Sequence, residues 1–327
     1  MIDIVRYRRW FFLISALLVV PSLGALLGPM LPFVGSDLGS TLRPGIEFTG
    51  GSAMTVEFAD PVSSLVVREQ LSAIGHEGAI VQATGGNSFF IRLGELEQEE
   101  LDGEGNVVNP GGRQEVEEAL GELSPVDVQS FDSISAVVGA ETVRAAIIAV
   151  AFAAVVILFY ITWAFRRVPS PFRYGTAAVV ALVHDVVIVL GVFSILGRTV
   201  NMEVNAMFII GVLTVIGYSV NDTIVVFDRV RENVLRYQGA TIVEMVNLSI
   251  RETVGRSFNT SITLLVVVVA LLIFGGPTIQ PLLLVLLVGV VVGTYSSIFV
   301  ASLMLVSWET GELGRALRRL TLSRPRS

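Results

Sequence analysis

Six stretches of the chain stay apolar long enough to cross a bilayer. A hydrocarbon core of roughly 30 Å needs about 20 apolar residues per helix. The runs that meet this are approximately Trp10–Leu31, Val143–Phe165, Phe172–Leu196, Val204–Phe227, Phe258–Phe274 and Pro281–Ser307. Between the first and second lies a long segment of different texture. Ala53–Ala59 alternates apolar and polar positions as a half-buried strand does. Pro61–Ile74 has helical spacing, with Leu65, Val66, Leu71 and Ile74 as its apolar positions. Ala79–Ala83 and Ser88–Leu93 read as strands joined by a Thr84–Asn87 turn that carries Gly85 and Gly86. Gly94–Gly112 is polar, acidic and glycine-rich, which predicts a loop. Gln114–Leu123 reads as a short acidic helix, and Pro125–Ser130 alternates again. The order β-α-β-β-α-β is that of a ferredoxin-like unit. Its predicted core is Val56, Phe58, Phe90 and Ile91 from the strands with Leu71 and Leu120 from the helices. Phe90 and Ile91 are neighbours, so at least one turns away from that core.

The fold class expected is therefore an α-helical membrane protein of six transmembrane helices with an α+β ferredoxin-like domain outside the cytoplasm. The expected divisions are 1–34 (tail and first helix), 35–142 (outer domain), 143–307 (helices two to six) and 308–327 (basic tail).

Composition sharpens this picture. Of the 327 residues 53% are hydrophobic and only 16% charged, against roughly 25% in soluble proteins. The shortfall fits lipid-facing surface. All 22 basic residues are Arg. The formal charge of −7 hides a partition: between Gly35 and Glu141 there are 19 acidic residues and four Arg, about −15 in net charge, so the rest of the chain is net positive. Arg residues crowd the N-terminal tail (Arg6, Arg8, Arg9), the loop after the second span (Arg166, Arg167, Arg173), the region after the fourth (Arg229, Arg231, Arg236, Arg251) and the C-terminal tail. By the positive-inside rule both termini are expected in the cytoplasm and the acidic domain outside. The first apolar run is longer than a signal-peptide core of about 7–15 residues and no clean cleavage site follows, so it reads as an uncleaved anchor. There is no Cys, and the two His lie far apart at 76 and 184. No disulfide, metal site or cofactor is expected. No Walker motif or nucleophile constellation points to an enzyme, and no nucleic-acid partner is expected.

The candidate chemistry lies inside the spans, where ionisable groups are costly and usually functional. His184 and Asp185 fall in the middle of the third span. Asp222 falls near the cytoplasmic end of the fourth, sharing a helix face with Tyr218 and Ser219; Asn221 is its neighbour. Arg256 opens the fifth, followed at helical spacing by Asn259, Thr260 and Thr263. Asp222 and Arg256 are expected to pair, either as a static ion pair or as a proton-coupled switch. A loop of about 30 residues is expected between their helices. His184 and Asp185 are adjacent, hence about 100° apart on a helix, and admit either interhelical hydrogen bonding or proton relay. Gly45, Phe48, Gly50 and Gly51 belong to a glycine-rich segment after the first span, read as a tight connection into the first strand. Gly289 and Gly293 form a G-x-x-x-G in the sixth span, where helices can approach closely.

Three motifs carry a resemblance: Gly45–Gly51 (GIEFTGG), His184-Asp185-Val186, and Ile216–Asn233 (IGYSVNDTIVVFDRVREN). Together they resemble the SecD/SecF family of bacterial Sec export membrane proteins, within the RND superfamily. The resemblance spans essentially the whole chain. It implies a non-enzymatic accessory subunit of the cytoplasmic membrane, working with SecD beside the SecYEG channel, with YajC a further candidate partner. Such a complex uses the proton motive force to draw unfolded chains outward. It further implies that Asp222 and Arg256 are the proton-coupling residues of this half. Two other readings stand beside it: an independent RND-type exporter of small molecules or lipids, and a passive scaffold of the translocon.

Overall fold

A computed structural model describes residues 3–28, 42–97, 100–101, 107–109, 111–237, 239–312 and 315. In chain order its elements are α1 (Arg8–Leu27), the single turn α2 (Ile46–Thr49), β1 (Gly51–Phe58), α3 (Ser64–Ala73), β2 (Ile80–Gly85), β3 (Ser88–Leu93), β4 (Glu100–Leu101), β5 (Val107–Asn109), α4 (Gly111–Gly121) and β6 (Val126–Ile134). The long helices follow: α5 (Ala136–Ala164), α6 (Pro171–Thr199), α7 (Ala206–Arg236), α8 (Ile242–Phe274) and α9 (Gln280–Tyr295). A π-helical turn, Ser296–Ala301, joins α9 to α10 (Ser302–Glu309). The chain divides into two compact units: residues 44–147, and residues 1–43 with 148–327.

The smaller unit is a four-stranded antiparallel sheet in the order β2-β3-β1-β6, with α3 and α4 as its two helices. That order is the ferredoxin-like arrangement expected from the β-α-β-β-α-β pattern. The sheet is half-buried, so one register decides every side chain. Met54, Val56, Phe58, Phe89, Ile91 and Leu93 turn inward onto Val67, Leu71, Val116 and Leu120. Phe90 points the other way and Phe89 takes the core position, packing edge-on against Phe58 with centroids 5.7 Å apart. In α3 the buried face is Val67 and Leu71, whereas Leu65 and Val66 are exposed. The helix begins after Ser63, whose hydroxyl accepts from the amide of Val66, rather than at Pro61. Within the segment expected to be a loop, β4 and β5 pair antiparallel.

The larger unit holds six helices long and apolar enough to cross a membrane: 5–27, α5, α6, α7, α8, and α9 through α10. About half or more of the window in α6 and in the last span is buried and somewhat less of α7, but almost none of α5 and little of α1 or α8. The core is thus a central group of α6, α7 and the last span. Tyr174, Phe165 and Phe227 interlock at one end, Tyr174 stacked on Phe165 at 5.5 Å. Close crossings rest on small residues. A β-carbon at Gly289 would stand 2.3 Å from Val215 Cγ2, and one at Gly293 would stand 3.1 Å from Ser219 Cβ, so α9 approaches α7 along the G-x-x-x-G edge. On the other side of the core, Gly191 of α6 makes room for Ser22 of α1.

The loop expected between the fourth and fifth spans is helix. After α7 ends at Arg236 only residues 237–241 intervene before α8 starts in a capping box: Thr241 Oγ1 accepts from the Glu244 amide, and Glu244 reaches back to the Thr241 amide. Polar residues there lower the hydropathy without breaking the helix. Both helices therefore extend past the apolar runs, and Arg229 bridges them by bonding Glu252 at 2.6 Å and Glu232 at 2.6 Å.

Candidate functional site

The buried polar groups of the helical unit collect where α6, α7, α8 and the last span meet. Asp185 is 1% exposed; its carboxyl group accepts two hydroxyl hydrogen bonds and lies against the His184 ring. Ser219 Oγ of α7 donates to Oδ2 at 2.6 Å, Ser296 Oγ of the π turn donates to Oδ2 at 2.8 Å, and His184 Nδ1 lies 3.0 Å from Oδ1. The adjacent His184 and Asp185, expected to diverge, close on one another. The two hydroxyls and the imidazole leave neither oxygen of this buried carboxyl group without a polar neighbour.

Asp222 lies near the middle of α7, not near its end, because the helix runs on to Arg236. It is buried. Its Oδ1 accepts from Ser257 Oγ of α8 at 2.5 Å, while Oδ2 is buried without a partner among the described residues. The ion pair expected with Arg256 is not formed: Arg256, Asn259 and Thr260 lie on the exposed face of α8. Ser257, one position on and about 100° around the helix, is the residue that turns inward. Thr260 and Thr263 turn their hydroxyls back to their own helix, on Arg256 O at 3.0 Å and Thr260 O at 2.8 Å. Asn221 is exposed too. Tyr218 is half-buried and joins the interior set through Ser261, 2.8 Å from its hydroxyl.

Hydroxyls connect these two carboxylates to a common element. Thr223 Oγ1, next to Asp222, donates to Ser297 Oγ at 2.8 Å, and Ser297 Oγ donates to the Ser219 carbonyl at 2.9 Å. Ser261 shares a hydrogen with Thr294 at 2.6 Å and donates to the Ser257 carbonyl at 2.8 Å. Thr294, Ser296 and Ser297 thus touch α8, α6 and α7 respectively, and the π turn begins at the middle of the three. Turns of this kind are rare and concentrate at functional positions. Sequence reasoning missed Ser257, Ser296 and Ser297. The available signal was the run of hydroxyls, Thr294, Ser296, Ser297 and Ser302, in an otherwise apolar span.

The glycine-rich segment belongs to the smaller unit. Gly45 caps the turn α2, and the Phe48 amide returns to the Gly45 carbonyl at 3.1 Å. Gly50 and Gly51 follow at φ 73° and 117°. Gly139 at the start of α5 has no room for a β-carbon, which would lie 2.9 Å from the Phe48 carbonyl carbon. Arg92 of β3 clamps the turn, bonding Pro44 O at 2.8 Å and Thr49 Oγ1 at 2.7 Å. No side chain in the segment is arranged to bind a phosphate; it is a tight connection into β1.

A six-helix membrane unit with intramembrane carboxylates on two neighbouring helices, carrying a ferredoxin-like unit after its first helix, is an RND-type half. Comparison with known proteins narrows the class. Residues 115–311 match the family model described as protein export membrane protein SecD/SecF, C-terminal. The chain is 42% identical to the protein translocase subunit SecF of Thermobaculum terrenum, covering 98% of each chain. It is 34% identical to that of Haemophilus influenzae over 91% of this chain and 83% of the relative. Among solved structures it is similar to SecDF, a translocon-associated membrane protein from Thermus thermophilus, with TM-score 0.76, 30% identity and 94% of this chain covered. It spans only 39% of that longer chain's length. The chain belongs to the SecD/SecF family of protein export membrane proteins.

Proposed function

We propose that this chain is the SecF-type subunit of a Sec export accessory complex, which pairs with SecD and uses the proton motive force to promote passage of unfolded chains through SecYEG. The near full-length relationship to subunits named for protein translocation carries the reading. YajC is a further candidate member of the assembly. Both termini are placed in the cytoplasm by the Arg distribution, which puts the acidic unit outside, in the path of emerging cargo.

Within this reading Asp222 is the proton-coupling carboxylate. The supporting observation is its asymmetry: one oxygen is fixed by Ser257, and the other is buried with nothing among the described residues bonded to it. Protonation on the open oxygen leaves the Ser257 bond in place and removes a charge from the bundle. Arg256 acts from the outer face of α8, where the stripe Arg256, Asn259 and Thr260 is directed to a second membrane subunit. An arginine side chain facing lipid is unfavourable by about 2.5–3.5 kcal/mol on insertion scales, so this stripe favours a protein neighbour. A change in the charge of Asp222 then biases the α7–α8 contact between two arrangements.

The test is Asp222→Asn in the assembled complex. It is expected to keep assembly with SecD, lose proton-driven stimulation of export in membrane vesicles, and leave the ATP-driven part unchanged. Full proton-dependent export by an assembled variant would favour a passive scaffold.

A further inference from the structure

Two arginines in the turn between α5 and α6 are presented outward by a backbone that is already fixed. The anchors of the turn are inside: Phe165 and Val168 are 2% and 4% exposed and belong to the core that holds Tyr174 and Phe227. Two tight bonds set the chain between them, from the Arg166 amide to the Trp163 carbonyl at 3.3 Å and from the Val168 amide to the Phe165 carbonyl at 3.1 Å. Beyond them Ser170 takes a left-handed φ of 54° between two prolines, and Pro171 opens α6. Arg166 and Arg167 fall between the buried anchors and are themselves exposed.

The surroundings of the pair are aromatic rather than acidic. Trp163 is 62% exposed and Phe172 57%, and Phe159 and Tyr160 are exposed one turn earlier on α5. The Arg166 guanidinium lies over the Trp163 ring, 4.7 Å from its centroid, and donates to the Trp163 carbonyl at 3.2 Å. That uses one of its five N–H donors. Other arginines at this end of the unit have carboxylates: Arg8 has Glu312, Arg173 has Glu309, Arg231 has Asp228, and Arg229 has Glu232 and Glu252. Arg231 also reaches the turn itself, at the Ala164 carbonyl. Among the described residues Arg166 and Arg167 form no ion pair.

We propose that the α5–α6 turn is a docking site for the headgroup of an anionic membrane lipid, with Arg166 and Arg167 holding its phosphate and Trp163 and Phe172 lying against its acyl chains. The depth favours a lipid. The apolar run of α5 ends at this turn, and exposed Trp and Tyr side chains sit at the headgroup level of membrane helices. An arginine there lays its stem along apolar surface and keeps its head among phosphates. Its flat fork meets two phosphate oxygens with parallel bonds. An acidic protein segment approaching from water would satisfy the charges and leave Trp163 and Phe172 without a partner. A negative leaflet favours each basic residue near its surface by roughly fivefold, and the fixed turn lowers the ordering cost of binding. The site shares no residue with the Asp222 reading and stands or falls apart from it.

Quenching of tryptophan by brominated acyl chains tests the site in the full chain. There are three tryptophans, and Trp10→Phe with Trp308→Phe leaves Trp163 as the reporter. In phosphatidylcholine nanodiscs, brominated phosphatidylglycerol is expected to quench Trp163 with an apparent preference of roughly fivefold or more over the same fraction of brominated phosphatidylcholine. Arg166→Gln with Arg167→Gln is expected to make the two lipids equal and to leave the thermal midpoint in place, since both side chains are exposed. Equal quenching with both arginines present overturns the proposal, as does a preference that survives their replacement. Native mass spectrometry makes the comparison without touching a tryptophan. The unaltered chain, released from micelles holding both lipids, is expected to retain an excess of phosphatidylglycerol that falls in the double arginine variant; an unchanged excess overturns the proposal. An isolated chain with no lipid preference, whose double variant loses co-purification with a second membrane subunit, assigns the arginines to an acidic protein neighbour and overturns it too.

Discussion

At Gly50 the backbone takes φ 73°, and a β-carbon there would lie 2.6 Å from the backbone nitrogen of Ala136. Both the conformation and the space call for glycine, and neither can relax by moving a flexible side chain. Gly50→Ala is expected to destabilise the smaller unit by about 1–3 kcal/mol, read as an earlier unfolding transition in denaturant. Gly45, which is extended at φ −69°, carries no such conformational demand. A second prediction concerns Glu312, which lies beyond the last span and bonds Arg8 Nε at 3.0 Å. The Arg8 hydrogen bond holds this carboxyl below its ordinary range. With its folded value depressed, Glu312 contributes its stabilisation above the ordinary carboxylate value of about 4.3 and loses it as pH falls through the folded value. Over a third of its side chain is exposed, so screening limits the effect to under about 1 kcal/mol. The thermal midpoint of the native chain is expected to fall slightly between about pH 5 and 3, and Glu312→Gln to start from the lower value and lose that part of the dependence. At this scale Asp222 and Asp185 were legible because a carboxylate stands out in an apolar run. Ser257, Ser296 and Ser297 were not, because their partners lie on other helices and serine is unremarkable in a membrane span.

Among the elements, α7 and α9 pair closely in the helical unit, with Gly289 facing Val215 and Gly211 facing Val285. Gly289→Ala puts a methyl group where Val215 already is, an overpacking of about 1–3 kcal/mol. It is expected to lower the thermal midpoint of the purified protein, and Val215→Ala in the same chain to restore part of the loss. The two residues act as one contact, so their effects should not add. This edge was legible, because small residues four apart have one common use in a membrane helix. The pairing of Asp222 with Arg256 was expected and is absent for a related reason. Spacing says which residues share a face of α8; it does not say which face is turned to α7. Ser257 and Arg256 are neighbours in sequence and about 100° apart in space. The same ambiguity, with period two, exchanged Phe89 for Phe90 in β3. The α8 boundary was lost because hydropathy marks where a helix is apolar, whereas Thr241 and Glu244 mark where it begins.

On the scale of the whole molecule, burial is uneven across the helical unit. Its core gathers α6, α7 and the last span, while α5 and much of α1 and α8 bury little within the chain. On α8 this exposed surface includes Arg256 and Asn259 besides Ile262, Val266 and Phe274. Such a surface fits a chain that spans only 39% of its SecDF relative, which is more than twice as long. Co-expressed with a SecD subunit, the chain is expected to co-purify and to show a higher thermal midpoint than alone. Arg256→Glu is expected to weaken that complex without lowering the midpoint of the isolated chain. Equal midpoints with and without the second subunit would leave the exposed stripe without a protein neighbour. The count of spans and the ferredoxin-like order were legible from periodicity, because both depend on local pattern. The junction of four helices at the hydroxyl cluster was not, because contacts such as Asp185 with Ser296 join residues 111 positions apart.

The π turn at Ser296–Ala301 has a consequence for how the last span can change. A wider turn holds a residue more than an α-helix of the same rise, so it sets the faces of α9 and α10 out of phase with each other by about 100°. Thr294 keeps the phase of α9, while Leu303, Leu305 and Val306 keep that of α10 and fill the core near Tyr174. Losing one residue between them would bring the two halves into a common phase, and no setting of a uniform helix then serves both the hydroxyl cluster and that core. Substitution can vary the chemistry of this span one position at a time, but its length in residues is pinned.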